Sequence, residues 1–367
     1  MRFLMLNWRD PENPLAGGAE RVTLEYWNAL AERGHEAVWW SFHFPGAARE
    51  GRIKNVQIVR GGGTGTSILA ARRWVRKQPK FDLIVDQHHG IPWLAPWWGG
   101  TNCVAFIHEV LGPIWNSFYP WPISRIGQIQ ERWFLRRYSR TPFWTACPGT
   151  RDDLKEIGVH DISLIPYGVW TEALESLPSK PLTTPLRLIV VSRLAPNKRI
   201  HHAIQAVAAL LKLGVPANLT IVGSGETEPE LRRWIDQLGL HHHVAFSGQI
   251  NENEKDQLLK EAHFLLHTSQ REGWGLNVIE ANAMGTPGAV YPVRGLVDST
   301  LKNETGLVSE QETPESLADE IECLLKNPER YEKFRVQAWR RAQSFHWNNI
   351  LPQAVEWLEA QAGLKNK

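Results

Sequence analysis

One pattern limits the folds open to this chain more than any other: strand and helix signals alternate from end to end, and the series starts over once. Short apolar runs of buried-strand length stand at residues 3–7, 37–41, 83–85, 104–107 and 143–146. Helical periodicity separates them. In 19–33, Val22, Tyr26, Ala29 and Leu30 share one face, and Gly34 stands just past the end, where a helix stops. A second helical stretch covers 150–157. Strands joined through helices run parallel, and a parallel sheet needs helices on both faces. The pattern predicts an α/β chain with doubly wound sheets.

The alternation breaks at 171–185, where Pro178, Pro181 and Pro185 mix with Ser and Thr as in a linker. It resumes with strands at 187–192, 218–222, 244–246, 264–267 and 288–291, and with helices at 199–213, 228–238 and from Leu276. Three further helical patterns follow at 315–326, 328–344 and 347–361. A chain of 367 residues exceeds what one hydrophobic core usually organises. Two domains facing across a cleft are expected, at 1–175 and 185–346.

Charge and composition exclude several classes. The net charge is +2 and no Lys/Arg-rich arm occurs, so no nucleic-acid partner is expected. Cys103, Cys147 and Cys323 are too sparse for a disulfide framework or a zinc site. The opening apolar stretch, MRFLMLNWRD, is too short for a signal peptide, and no run approaches the roughly 20 apolar residues of a membrane span. A cytoplasmic protein is expected. The stretch 111–138 sets Trp115, Phe118, Tyr119, Trp121 and Trp133 among Arg125, Arg132, Arg136 and Arg137. Such a mixture suits a peripheral contact with anionic lipid at the inner face of the plasma membrane. It also suits an ordinary helix packed on the first domain.

The densest chemistry lies at 271–281. Glu272 and Glu280 bracket Gly273, Trp274, Gly275, Leu276 and Asn277, where a loop turns into a helix. The free backbone N–H groups and positive dipole end of a helix start suit a diphosphate, and glycines let it approach. Arg193 and Lys198 follow the strand at 187–192. They offer a forked and a point positive charge that can stabilise a departing diphosphate, the task a divalent ion performs in other enzymes. No Asp-x-Asp occurs, and no metal ligands are assigned. His108 ends the strand at 104–107, where parallel sheets bind ligands. Glu109, His88 and Trp115 are weaker candidates on the same side. His241, His242 and His243 are consecutive and do not converge on one ion. The run Gly61–Gly65 lacks the acidic partner of a dinucleotide loop and reads as a flexible loop.

The segment Arg271–Ala281 resembles the Glu-x7-Glu signature of retaining glycosyltransferase family 4, which has the GT-B fold of two Rossmann-like domains. Five other segments are similar to family motifs in the same order: 17–20, 165–169, 191–198, 221–226 and 246–250. The resemblance implies an acceptor-side first domain and a second domain that binds a nucleotide-diphosphate sugar, a UDP-sugar or GDP-mannose. It implies that Arg193 and Lys198 hold the diphosphate, Glu280 the ribose, Glu272 the sugar hydroxyls, and Gly248, Gln249 and Ile250 the base. Gly17 and Gly18 would approach the phosphates, and His108 the transferred sugar. No metal or other cofactor is implied. The final helix, with the tail to residue 367, would cross back to the first domain. The acceptor would be a glycan or a lipid-linked molecule. A sugar-nucleotide epimerase and a non-catalytic sugar-nucleotide-binding protein stay open as alternatives.

Overall fold

The computed structural model describes residues 1–63 and 65–363, with the side chains of Ser117 and Phe118 excepted. Thr64 of the glycine run, the Phe118 ring of the aromatic stretch and tail residues 364–367 therefore lie outside the described residues. The chain forms two compact units, Met1–Tyr167 with Asn348–Lys367, and Gly168–Trp347.

The first unit holds an eight-stranded sheet. Its strands are β1 (Arg2–Leu6), β2 (Glu36–Ser41), β3 (Glu50–Ile53), β4 (Val56–Arg60), β5 (Leu83–His88), β6 (Asn102–Ile107), β7 (Phe143–Thr145) and β8 (Ile162–Leu164). The order is β3-β4-β2-β1-β5-β6-β7-β8, and every pairing is parallel except β3 with β4. One apolar cluster gathers Leu4, Leu6, Val38, Trp40, Ile84 and Trp93; another gathers Ala105, Ile107, Leu135, Tyr138 and Phe143. The β3–β4 hairpin was not foreseen. Its outer strand, EGRI, is largely exposed and has no apolar run to announce it.

The loop between β1 and the helix Gly18–Glu32 carries the candidate glycines, and a buried ion pair fixes it. Asp10 accepts from the Arg60 guanidinium twice at 2.7 Å and from the Ser41 hydroxyl at 2.6 Å. Both charged side chains are almost wholly inaccessible. Burial alone would raise the Asp10 pKa, but Arg60 and Ser41 outweigh it and hold the carboxyl below its ordinary value.

The C-terminal helix, Trp347–Gly363, belongs to this unit for its length beyond Trp347. Glu359 meets His35 at 2.7 Å, the Asn102 amide donates to the Gln361 carbonyl at 3.0 Å, and Ile350, Ala354 and Leu358 are buried.

The second unit holds a six-stranded, fully parallel sheet of β9 (Leu186–Val191), β10 (Ala217–Val222), β11 (Val244–Gly248), β12 (Phe264–His267), β13 (Gly288–Val290) and β14 (Gly306–Val308), ordered β11-β10-β9-β12-β13-β14. Chain order reverses between β9 and β12, and such a switch point opens a ligand crevice at the carboxyl ends of the strands. The Pro-rich linker is part of this unit, so the division falls earlier than its composition suggests. Lys180 donates to the Lys260 and Ala262 carbonyls at 3.0 and 2.6 Å. Arg335 donates to the Pro178 carbonyl at 2.8 Å, and Trp339 to that of Leu174 at 2.8 Å. Burial brings the Lys180 ammonium pKa down to about 6.

The ion pair sets a testable expectation. Asp10→Ala leaves Arg60 buried without its main partner and should cost about 3–5 kcal/mol in denaturant unfolding. In the parent protein the depressed Asp10 pKa contributes stability above the ordinary carboxylate value. That contribution is lost as pH falls through the lower folded value. Stability-versus-pH curves that coincide for the parent and the variant, apart from a constant offset, would refute this linkage.

Candidate functional site

In the second unit the candidate residues lie on loops leaving adjacent strands. The loop after β9 is shaped first by its neighbour on β10. Ser192 N–H donates to the Val222 carbonyl at 3.0 Å, and Leu194 N–H to that of Ser224 at 2.9 Å. Gly223 has φ +126°, and a Cβ there would collide with the Ser192 carbonyl oxygen. The Gly-Ser-Gly turn thus exists to let the cationic loop lie against it.

That loop ends in a short turn, Pro196–Lys198, and Arg199 (φ +46°) opens the helix Ile200–Lys212. Arg199 joins the loop to the one after β12. Its guanidinium donates to the Thr268 and Ser269 carbonyls at 3.0 Å each and to Glu312 at 2.7 Å. In return Thr268 Oγ1 donates to the Arg199 carbonyl at 2.9 Å, and Gln270 N–H to that of Asn197 at 2.9 Å.

This stitching delivers Lys198 to Glu272. The ammonium donates directly to Glu272 Oε1. Ser269 Oγ lies 3.2 Å and His267 Nε2 3.3 Å from the same oxygen. Burial favours the neutral acid, but Lys198 and His267 prevail and hold the carboxyl well below its usual range. An ionised carboxylate and an ammonium are therefore fixed side by side. One accepts from hydroxyls and the other donates to anionic oxygens.

The helix Leu276–Ala283 begins at Gly275, which has φ +76° and ψ +56°. A Cβ there would stand 2.8 Å from Ser299 Oγ, so the left-handed start needs glycine. Asn277 ties the helix to β9 through a 2.8 Å bond from its amide to the Val191 carbonyl. Gly273 and Leu276 are half-buried, and Trp274 is buried with its ring 5.5 Å from Phe345. One turn in, Glu280 lies 3.1 Å from Lys255. Burial raises the Glu280 carboxyl pKa and Lys255 only partly opposes it. At the end of β11, Gly248 (φ +66°) accepts from Gly223 N–H at 2.8 Å, with Gln249 exposed and Ile250 half-buried beyond it. Arg193 is exposed and makes no ion pair among the described residues.

Of the predicted residues, Lys198 and Glu272 touch. Glu280 and Asn277 sit on the helix that follows. His267, Arg199 and Lys255 were missed. His267 closes an apolar strand and looks like core; Arg199 adjoins the Asn197–Lys198 motif and reads as a second surface cation. Lys255 lies on a separate helix, and no local spacing points it at Glu280.

In the first unit, His108 follows β6. Its Nδ1 contacts the Tyr167 hydroxyl and its Nε2 lies 2.9 Å from the Gln87 amide. Burial, with some help from His89, pushes the imidazole pKa down to about 3. The ring is a neutral hydrogen-bonding group near pH 7. Gly17 and Gly18 are exposed at the start of their helix, and Glu20 accepts from Gly17 N–H at 2.7 Å. Glu109 is half-buried.

One acceptor-side expectation needs correction. His88 is buried, with its ring edge-on to Tyr138 at 4.5 Å and to Phe143 at 5.5 Å. Strand alternation turns it into the core rather than out past the strand end. Trp115 packs where Gly90 and Gly127 leave room, and its indole N–H donates to Glu131 at 3.2 Å. In the glycine run, Gly62 is packed closely, since a Cβ there would stand 2.6 Å from Ser67 Cα. Among the described residues, no group of three His, Cys, Asp or Glu could hold a metal ion.

Two family models match the chain. "Glycosyltransferase Family 4" matches residues 16–173, and "Glycosyl transferases group 1" matches 175–341. The chain is similar to glycogen synthase of Mycobacterium tuberculosis, 26% identical over 304 residues that make up 81% of this chain and 69% of that protein. It is 28% identical over 220 residues to a GDP-mannose-dependent phosphatidylinositol dimannoside mannosyltransferase of the same species, covering 58% of this chain and 56% of the relative. Among solved structures, Anabaena HepE in complex with UDP and glucose superposes with a TM-score of 0.73 at 19% identity, covering 98% of this chain and all of that one. That likeness shows the GT-B fold. With the two family models taking in nearly everything between residues 16 and 341, this chain belongs to the family 4 glycosyltransferases.

Proposed function

We propose that this glycosyltransferase moves a hexose from a UDP-sugar or GDP-mannose to a glycan or lipid-linked acceptor at the inner face of the plasma membrane, with retention and without a metal. The observation that carries the reading is the Lys198–Glu272 pair, locked by Arg199, with Glu272 three residues before the left-handed start at Gly275. The relatives support the donor class: HepE was solved with UDP and glucose, and one relative is named for GDP-mannose.

The second unit binds the donor. When the sugar C1–oxygen bond breaks, its electron pair stays on the diphosphate. Lys198, Arg193 and the N–H groups after Gly275 stabilise that charge. The acceptor oxygen attacks C1 on the face the diphosphate leaves, and its proton passes to the departing phosphate oxygen. Glu272 accepts from sugar hydroxyls. Glu280 accepts from ribose, and Gly248, Gln249 and Ile250 border the base. Neither carboxylate is required as a nucleophile. The first unit binds the acceptor, with Gly17 and Gly18 approaching the phosphates and neutral His108 hydrogen-bonding the transferred sugar.

A thermal-shift screen of UDP- and GDP-sugars, followed by transfer and hydrolysis assays, tests the reading. Glu280→Ala and Lys198→Ala should each weaken donor binding or turnover by more than about tenfold, as loss of a charged hydrogen bond implies. Unchanged kinetics in both would defeat the assignment. EDTA should leave the rate intact, and a rate that EDTA abolishes and a divalent ion restores would end the metal-free reading. Because burial holds the His108 pKa down to about 3, its ring resonances should not titrate between about pH 5 and 8, the range of an ordinary imidazole. A titration step there, seen by NMR against His108→Gln, would contradict the neutral role.

A further inference from the structure

The helix Ile123–Arg137 is fastened to the first unit by one face only. Ser124, Gly127, Glu131 and Leu135 are its buried residues, spaced three and four apart. Gly127 is required there because a Cβ would collide with the Trp115 ring. Glu131 accepts from Leu111 N–H at 2.8 Å, Gly112 N–H at 2.9 Å and the Trp115 indole at 3.2 Å. These contacts already satisfy the inner face.

The outer face should then be polar, and it is not. Ile126 and Ile129 are each 59% exposed and Trp133 is 51% exposed, on one stripe a helical turn apart. Ile123 is 53% exposed at the helix start, and Trp121, just before it, is 82% exposed. Contiguous exposed apolar surface of this kind marks a binding face. By helical spacing, Arg125, Arg132 and Arg136 run along one side of the stripe and Arg137 stands on the other. All four are exposed, and none makes an ion pair among the described residues. The helix has a single acidic residue, Glu131, and it points inward.

We propose that this helix is a membrane-surface anchor lying along an anionic bilayer, with Ile126, Ile129 and Trp133 at the acyl boundary and the arginines on lipid phosphates. Charge selects this occupant. A second copy meeting the stripe through a twofold axis would set arginine rows against each other with no acidic partner. A bilayer carrying anionic headgroups supplies counter-charge on both sides of the stripe together with an apolar interior. The proposal deepens the membrane-side reading of the acceptor given above, but it rests on this helix and not on the donor residues.

The test uses the full chain in co-sedimentation with vesicles of phosphatidylglycerol and phosphatidylcholine, and of phosphatidylcholine alone. Binding is expected to the anionic vesicles, weakening as salt rises from about 0.1 to about 0.5 M. Ile126→Ser with Ile129→Ser should cut partitioning by more than about tenfold. Arg125→Gln, Arg132→Gln and Arg136→Gln together should cut it roughly a hundredfold. Both variants should keep the parent melting temperature and donor hydrolysis. The arginine variant alters only exposed side chains, so it decides the matter should the isoleucine variant misfold. Absent vesicle binding, partitioning unaltered in the arginine variant, or a concentration-dependent dimer that the isoleucine variant dissolves would each overturn the anchor. Vesicle binding without donor turnover would uphold the anchor and count against the transfer reading instead.

Discussion

The second unit depends on one guanidinium. Arg199 sits in a left-handed conformation at a helix start, and from there it reaches two carbonyls of the loop after β12. Those two bonds convert two separate strand ends into one surface. Without them Lys198 and Glu272 would be independent long side chains, each with rotamer entropy to lose on meeting. With them, the ammonium and carboxylate are pre-set before any ligand arrives. Preorganised charges cost no reorganisation when charge develops on a leaving group. The same economy explains Gly223, which admits the cationic loop against β10 with no room for a Cβ.

The first unit uses burial in place of charge. His108 is held between Tyr167 and Gln87, in surroundings that suppress its protonation. A group of this kind directs hydrogen bonds without adding field. The two units thus differ in kind: an ionised pair is fixed in one, and an uncharged ring is held by burial in the other.

Much of this was legible in the residues, and the rest failed for identifiable reasons. The parallel sheets were readable because buried strands are continuous apolar runs, as in β9 and β6. The β3 strand was not, because its exposed side chains leave no pattern. Glu272, Gly275 and Lys198 announced themselves by clustering in loops beside strand ends. Lys255 and His267 act on the two glutamates across tertiary contacts that no local spacing encodes. His88 misled because a strand-end histidine has two faces to choose from, and alternation chose the core. Composition misplaced the unit boundary for a similar reason: prolines signal a break in secondary structure, while Lys180 and Arg335 decide which unit the segment joins.

The return of the last helix to the first unit has a consequence for biogenesis. His35 and Glu359 are bonded across 324 positions of sequence. On a ribosome, which releases the chain from its beginning, the earlier half must wait with part of its surface uncovered while the whole second half is made. The inserted half, Gly168–Trp347, has every one of its elements in hand before that helix emerges and is free to mature first. Synthesis order and completion order are therefore inverted in this molecule. A stop codon a few turns short of the end would injure the part of the protein that was translated earliest.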